Sequence, residues 1–362
     1  MTRYLLKQPY PKSTDIILFL DGVIMKTYKH LWEQFISQEN LDLAAKKAVK
    51  SKKSKKSVKK FLAHREELLE KLRNDLIYGK YKTSRYQTFT IYEPKKRVIY
   101  KLPLYPDHIV HHALINVLGP IWQNFFIRDS YACIPGRGLL SASQKTMQFV
   151  RCNDYVLQCD IRKFFPSVNH DIMFNIIKRK IHDRRILTVL WEIISSVGNN
   201  TNLPIGNLTS QWMGNLYLND LDVFIKQNLH WRDYIRYCDD FCLYGDDKCA
   251  LRDAEYKISA FIQSKLSMKF SKCNLRRTDD GVSFIGYRHF KNFILIRKHT
   301  AQKLKRRIFN IIKYRIFNMK SVGQMAAAFG WTKWCCCFNY KTDIYKTATK
   351  YNSGFFIKNT LF

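Results

Sequence analysis

Residues 234–244 read YIRYCDDFCLY, two aromatic and apolar runs flanking the adjacent aspartates Asp239 and Asp240. Runs of this kind prefer strands, and a polar pair between them marks the turn of a hairpin, so the spacing predicts both carboxylates on a β-turn. Two carboxylates on a rigid turn can hold a hard divalent cation. Magnesium takes oxygen ligands and is commonly bound by one or two carboxylates together with the phosphates of a substrate. A solvated Asp-Asp turn is the plain alternative. The stretches on either side decide between the two.

Upstream, YVLQCDIRKFFPSV at residues 155–168 places Asp160 near the end of a run that reads as a strand buried on both faces. A lone acid there is costly unless a partner or a metal neutralises it. If the fold unites Asp160 with Asp239 and Asp240, three carboxylates can hold two magnesium ions roughly 3.5–4 Å apart, one at an attacking 3′-hydroxyl and one at a leaving pyrophosphate. Farther upstream, YQTFTIYEPKKRVIYKLPL at 86–104 alternates apolar and polar residues on both sides of Glu93-Pro94-Lys95-Lys96, the pattern of a hairpin with a basic tip. Lys95, Lys96, Arg97 and Lys101 would lean over a bound triphosphate, as cationic clamps do in phosphoryl transfer. In PIGNLTSQWMGNLYLNDLD, 204–222, Gly206 permits close backbone approach to a ligand, Ser210 and Gln211 supply hydrogen-bonding groups, and a helical pattern follows. The stripe Leu251, Ala254, Ile258, Phe261, Ile262 and Leu266 reads as the core face of a helix, GVSFIGYRHF at 281–290 as strand, and Lys303–Lys320 as a basic helical stretch.

The chain has 362 residues, 46% hydrophobic and 14% aromatic, a composition that folds and is long enough for two or three lobes. Sixty-two Lys and Arg against 29 Asp and Glu give a formal charge of +33. Such a surface attracts polyanions, nucleic acid first among them, because each neutralised phosphate releases a counterion. Nine lysines and three serines crowd Lys46–Lys60, either as a solvated, mobile segment or as a phosphate-contacting arm. The apolar run Ile16–Leu20 is too short to span a bilayer, so the reading is a cytoplasmic protein without a membrane partner. The ten cysteines include no C-x-x-C pair, which predicts buried reduced thiols rather than a zinc site.

The order basic hairpin, D-I-x-x-F-F, G-x-x-x-S, Y-x-D-D, F-I-G-Y resembles the reverse transcriptases over roughly residues 86–290. The resemblance implies an α+β right-hand polymerase: an N-terminal helical, Lys-rich extension over 1–85, fingers and a β-sheet palm carrying the catalytic aspartates over 86–290, and a thumb over 291–362. It implies two Mg2+ ions held by Asp160, Asp239 and Asp240, with Ile161 beside Asp160 in the metal set. It makes Phe165 the steric gate against a ribose 2′-hydroxyl and places Lys95, Lys96, Arg97, Lys101, Ile205, Gly206 and Gln211 at the nucleotide. Arg137, Ser210, Tyr237, Phe284, Gly286 and Tyr287 fall to primer and template, with Phe284–Tyr287 as the primer grip.

Within that superfamily the chain is most similar to the reverse transcriptases of diversity-generating retroelements. Ile205-Gly206-Asn207-Leu208-Thr209-Ser210-Gln211 matches their I-G-x-x-x-S-Q where intron and retroviral enzymes have Q-G-x-x-x-S-P. The likeness extends to Glu39-Asn40-Leu41, TFTIYEPKKR at 88–97, DSYACIPGRG at 129–138 and FGWTKW at 329–334. It implies a prokaryotic or phage-encoded enzyme that copies a template-repeat RNA into cDNA with errors at adenines. Its partners would be the RNA template, the cDNA primer and product, deoxynucleoside triphosphates, and a small, basic, oligomeric accessory variability protein. Two positions depart from the superfamily. Cys273 or Asn274, with Lys272 beside it, stands where a lysine usually serves as general acid to pyrophosphate. Ile134 replaces an arginine common in intron enzymes, which leaves Arg137 for template contacts. Another prokaryotic reverse transcriptase, of intron, retron or phage-defence type, is the nearest rival, and a non-catalytic RNA-binding protein on a polymerase fold is the more distant one.

Overall fold

A computed structural model describes residues 27–350 except 93, 94, 315 and 317; the run Ile16–Leu20 and the Glu93-Pro94 tip lie outside the described residues. The described strands form three sheets. Strands β1 (Gln87–Ile91) and β2 (Arg97–Lys101) make an antiparallel hairpin. Strands β3 (Tyr155–Ile161), β4 (Tyr234–Tyr237), β5 (Asp240–Gly245) and β6 (Phe270–Arg277) form a sheet of order β4-β5-β3-β6, in which β5 runs antiparallel to both of its neighbours. Strands β7 (Val282–Phe284), β8 (Tyr287–His289) and β9 (Ile294–Ile296) form an antiparallel meander. Among the described residues no helix is long and apolar enough to cross a membrane.

The chain divides into two compact units. One takes the residues up to Arg128 with Ile161–Leu229 and Lys257–Ser271; the other takes Asp129–Asp160, His230–Tyr256 and the residues from Lys272 onward. In the first unit the helix Gln38–Val49 starts on Ser37, whose hydroxyl accepts from the Asn40 backbone. It buries Leu41, Ala44, Ala45 and Ala48 against the helix Ile109–Gln123. Asn40 is itself buried and donates to the carbonyls of Phe35 and Ala113, so the E-N-L signature is a helix-docking device. The lysine run is ordered. It spans the end of this helix, a turn and the helix Lys56–Ala63, which buries Val58 and Phe61 while its lysines stay exposed.

In the second unit β3 is buried on both faces as its sequence predicts, with Val156, Leu157 and Cys159 all buried. Val156, Cys242 and Tyr244 share a core with Phe149 and Val150 of the helix Leu139–Cys152 and with Val282 and Phe284 of β7. Each such apolar side chain contributes about 1.5–3 kcal/mol by leaving water. The helices Lys298–Lys313, Met319–Gly330 and Phe338–Lys350 close around Ile308, Ile311, Ile312, Met325 and Ile344.

The cysteines depart from expectation. Cys159 of β3 and Cys273 of β6 face each other with Cα atoms 4.3 Å apart and are joined as a disulfide. Their separation of 114 residues hides this from spacing rules, and only the pairing of β3 with β6 makes them neighbours. Cys133, Cys152, Cys249 and Cys336 are exposed rather than buried.

Candidate active site: the Asp160, Asp239 and Asp240 carboxylates

The hairpin at 234–244 forms, with its turn one residue earlier than the Asp-Asp pair suggests. Tyr237 pairs with Asp240, so Cys238 and Asp239 make a two-residue loop and Asp240 opens β5. Cys238 sits at φ 59, in the left-handed region that two-residue hairpins require and that a side chain with a Cβ resists. Arg236 answers that cost. Its side chain is fully buried, and its guanidinium donates to the Cys238 carbonyl at 3.1 Å. The same residue's backbone bonds Asp129 and Tyr131, tying the loop before the P-G-R-G turn to β4. Arg137, expected to reach a template, donates to the Ser130 carbonyl at 2.8 Å within that loop. Sequence reading passed over Arg236, although an arginine inside an apolar strand signals a buried partner.

The antiparallel register of β3 and β5 sets Asp160 directly opposite Asp240. Burial pushes the Asp240 carboxyl up to about 7, with the neighbouring charges of Asp160 and then Asp239 adding to the effect and Arg297 opposing it. Asp240 also hydrogen-bonds Asp160. Ile161 follows Asp160 on the strand with its side chain buried on the other face, so only its backbone belongs beside the carboxylate. Among the described residues no group of three or more His, Cys, Asp or Glu side chains is gathered as a ready-made metal cage. Magnesium does not need one, because it keeps waters and completes its shell with substrate phosphates. An all-oxygen donor set whose charges repel each other until a cation arrives fits that ion.

In the same unit, Ile285 and Gly286 form the two-residue turn between β7 and β8, both at positive φ, 46 and 87. A Cβ on Gly286 would stand 2.6 Å from the Trp331 ring, and the Tyr287 hydroxyl donates to the Trp331 carbonyl at 3.1 Å. The F-G-W-T-K-W stretch therefore clasps the F-I-G-Y turn. Phe284 and Tyr287 are buried in packing, whereas Ile285 and Gly286 at the turn are half-buried. Tyr237 is half-buried at the end of β4.

The first unit holds the residues expected at the nucleotide. Lys95, Lys96, Arg97 and Lys101 are all exposed along the β1–β2 hairpin. Gly206 makes a close approach to protein: at φ 132, a Cβ there would lie 2.2 Å from the Tyr100 carbonyl oxygen. The Ile205 carbonyl accepts from the Tyr100 backbone at 2.8 Å, and Asn202 donates to the Tyr100 hydroxyl. Asn207 donates to the Tyr86 hydroxyl at 2.7 Å, beside Ser196. This network fixes the Ile205 loop to β2, and the sequence reading missed it. Phe165 is half-buried; its carbonyl accepts from Leu203, and its ring packs at 5.0 Å on Phe164. A Cβ on Gly214 would come within 3.1 Å of Phe164 and 3.4 Å of Phe165, so that glycine makes room for both rings. Gln211 is exposed, whereas Ser210 is buried with an unpartnered hydroxyl.

Residues 93–289 match the family described as reverse transcriptase (RNA-dependent DNA polymerase), and the match covers more than half of the chain. The chain belongs to that family and is an RNA-directed DNA polymerase by membership. Among individual relatives, it is 24% identical over 282 residues to Protein YkfC of Escherichia coli (strain K12), covering 64% of this chain and 72% of that one. It is 20% identical over 291 residues to the Putative COX1/OXI3 intron 2 protein of Saccharomyces cerevisiae, covering 57% of this chain and 34% of that one. To the Group II intron-encoded protein LtrA of Lactococcus lactis subsp. cremoris it is 21% identical over 134 residues, 35% of this chain and 22% of that one.

Proposed function

We propose that this chain makes cDNA from an RNA template by two-magnesium nucleotidyl transfer, and that it is the error-prone polymerase of a diversity-generating retroelement. The observation that carries the first part is the register of Asp160 against Asp240, with Asp239 on the adjoining turn. Bound there, magnesium would supply Lewis-acid stabilisation of the phosphoryl oxygens and of the attacking hydroxyl. Asp160 and Asp239 would hold the ions as principal ligands, with Asp240, once deprotonated, and the Ile161 backbone completing the set. Lys95, Lys96, Arg97 and Lys101 offset triphosphate charge, and the Phe165 ring rejects a 2′-hydroxyl. Gln211 stands at the incoming nucleotide. The layout of fingers, palm and thumb, with a helical extension before residue 86 and a thumb from 291, belongs to the same reading, as does a cytoplasmic place in a prokaryote or phage.

The second part rests on Ile205 and Gln211 in the I-G-N-L-T-S-Q signature. It brings a partner with it, a small basic oligomeric accessory protein. An intron-type reverse transcriptase is the second reading, favoured by the names of the yeast and Lactococcus relatives. Primer extension on RNA with magnesium and deoxynucleoside triphosphates, beside an Asp239→Asn protein, tests the activity. Sequencing the cDNA tests the type: errors concentrated opposite template adenines support the retroelement reading, and evenly spread errors support the intron reading.

A further inference from the structure

Arg236 is the charged residue of β4, whose other members are tyrosine and isoleucine, and its side chain is fully buried. An apolar side chain would fill that place without carrying a charge out of water. What the guanidinium adds is a donor that reaches beyond the strand end to the Cys238 carbonyl, 3.1 Å from Nη1. Cys238 is the first residue of the two-residue loop and holds φ 59. Both common two-residue hairpin turns need a positive φ at that place, and glycine adopts it without strain. Here the residue carries a Cβ. A left-handed residue of this kind persists only where its surroundings fix it, and the charge-assisted bond from Arg236 does so. Arg236 is itself anchored. Its backbone N–H donates to the Asp129 carbonyl at 2.9 Å and its carbonyl accepts from the Tyr131 N–H at 3.1 Å. The outer strand of the sheet is therefore held by β5 on one side and by this loop on the other.

Asp239 is the second loop residue and lies outside the β4–β5 ladder, which closes with Tyr237 opposite Asp240. The sheet places Asp160 and Asp240, whereas the peptide of Cys238 sets where Asp239 points. We propose that Arg236 is a positioning residue for the metal site: by holding the Cys238 carbonyl it fixes the left-handed turn and so aims the Asp239 carboxylate at the cation that Asp160 and Asp240 approach from the sheet. Arg236 touches neither the cation nor the substrate. The assignment rests on the polymerase reading given above, in which these three carboxylates hold magnesium. Two consequences set it apart from a role in packing. The arginine becomes dispensable when residue 238 is glycine, and its loss falls on metal affinity while RNA affinity is spared.

The test titrates manganese, which takes the same oxygen ligands as magnesium and is detected by electron paramagnetic resonance, into the full chain at pH 8 without nucleic acid. The proteins compared are the unaltered chain, Arg236→Met, Cys238→Gly, the double variant Arg236→Met/Cys238→Gly, and Asp239→Asn, with RNA affinity measured on the same preparations. Arg236→Met should weaken manganese binding by about 10–100-fold, the range for losing a residue that orients a metal ligand. The double variant should return to within a few-fold of Cys238→Gly, a coupling that independent sites would not show. RNA affinity should stay level throughout. Unchanged manganese affinity in Arg236→Met overturns the proposal, as does a double variant that folds but binds manganese as weakly as Arg236→Met, or RNA affinity that falls in step with manganese affinity. Should Arg236→Met fail to fold, a folded double variant with the manganese affinity of Cys238→Gly supports the proposal, and failure of both to fold overturns it, because the arginine then serves the core and not the turn. Asp239→Asn separates this role from the polymerase reading. If it binds manganese as the unaltered chain does, the carboxylate assignment falls and the positioning role with it; if it loses the ion while Arg236→Met keeps it, the positioning role alone falls.

Discussion

Asp240 faces one carboxylate across the strand pair and adjoins another in sequence, and burial denies it the water that would screen them. Its folded-state pKa is raised, so its contribution to stability is complete below the ordinary carboxylate value and is lost as pH rises through about 7. Without magnesium, Asp240→Asn should therefore be more stable than the unaltered chain at pH 8, with the gap closing toward pH 4. Denaturant titrations at both pH values check this. His289, whose pKa burial lowers to about 4, titrates in the opposite sense, so the difference between the two proteins is the informative quantity. A gap of equal size at both pH values would contradict the account. The same proton must leave before a cation binds, so half-saturating magnesium should rise as pH falls below 7. Fidelity belongs to this scale too. Ile205 offers no donor or acceptor at a position where a glutamine amide could hydrogen-bond near the incoming nucleotide, and apolar sites discriminate by only about 1–3 kcal/mol per methylene-sized difference. Ile205→Gln should lower misincorporation opposite template adenine more than it lowers cDNA yield. Equal adenine error rates on one template would mean that Ile205 merely packs beneath the nucleotide.

At the scale of elements, the β2 strand and the Ile205 loop are built as one piece, because the Gly206 backbone presses against the Tyr100 carbonyl. Gly206→Ala must push the two apart and should cost about 1–3 kcal/mol, the range for strained backbone and overpacking. Its KM for deoxynucleoside triphosphates should rise more than its kcat falls; an unaltered denaturation midpoint and KM would show that the loop is free of β2. The helices carrying the lysine run are ordered, which makes their exposed cations a fixed surface rather than a drifting tail. Glutamine at Lys52, Lys53, Lys55 and Lys56 should flatten the salt dependence of RNA binding by up to roughly 0.7 per contact. Strands and faces were legible in the sequence because alternation along β3 and the aromatic runs of β4 and β5 leave one arrangement that buries them. Register was not legible. Whether the hairpin turns at Cys238-Asp239 or at Asp239-Asp240, which strand brings Cys273 to Cys159, and what Gly206 approaches all depend on pairing between distant segments. The buried Arg236 belongs with them, since its role exists only once the Cys238 carbonyl is aimed at it.

For the whole molecule, a charge of +33 on 362 residues makes nucleic acid affinity the rule and specificity the exception. Binding by itself therefore says little about chemistry, and the decisive property is the separation of the two. The aspartates are few and sit on a strand pair whose core, from Phe149 to Phe284, does not depend on their charge. Removing one should leave the fold and the basic surface intact. The most direct measurement is single-turnover primer extension on an RNA template by the unaltered chain and by Asp239→Ala, with RNA affinity measured on the same preparations. Loss of a metal ligand should remove several kcal/mol of transition-state stabilisation, on the order of a thousandfold in rate, while RNA affinity stays within a small factor. Extension by Asp239→Ala at the unaltered rate would contradict the assignment of these carboxylates to catalysis.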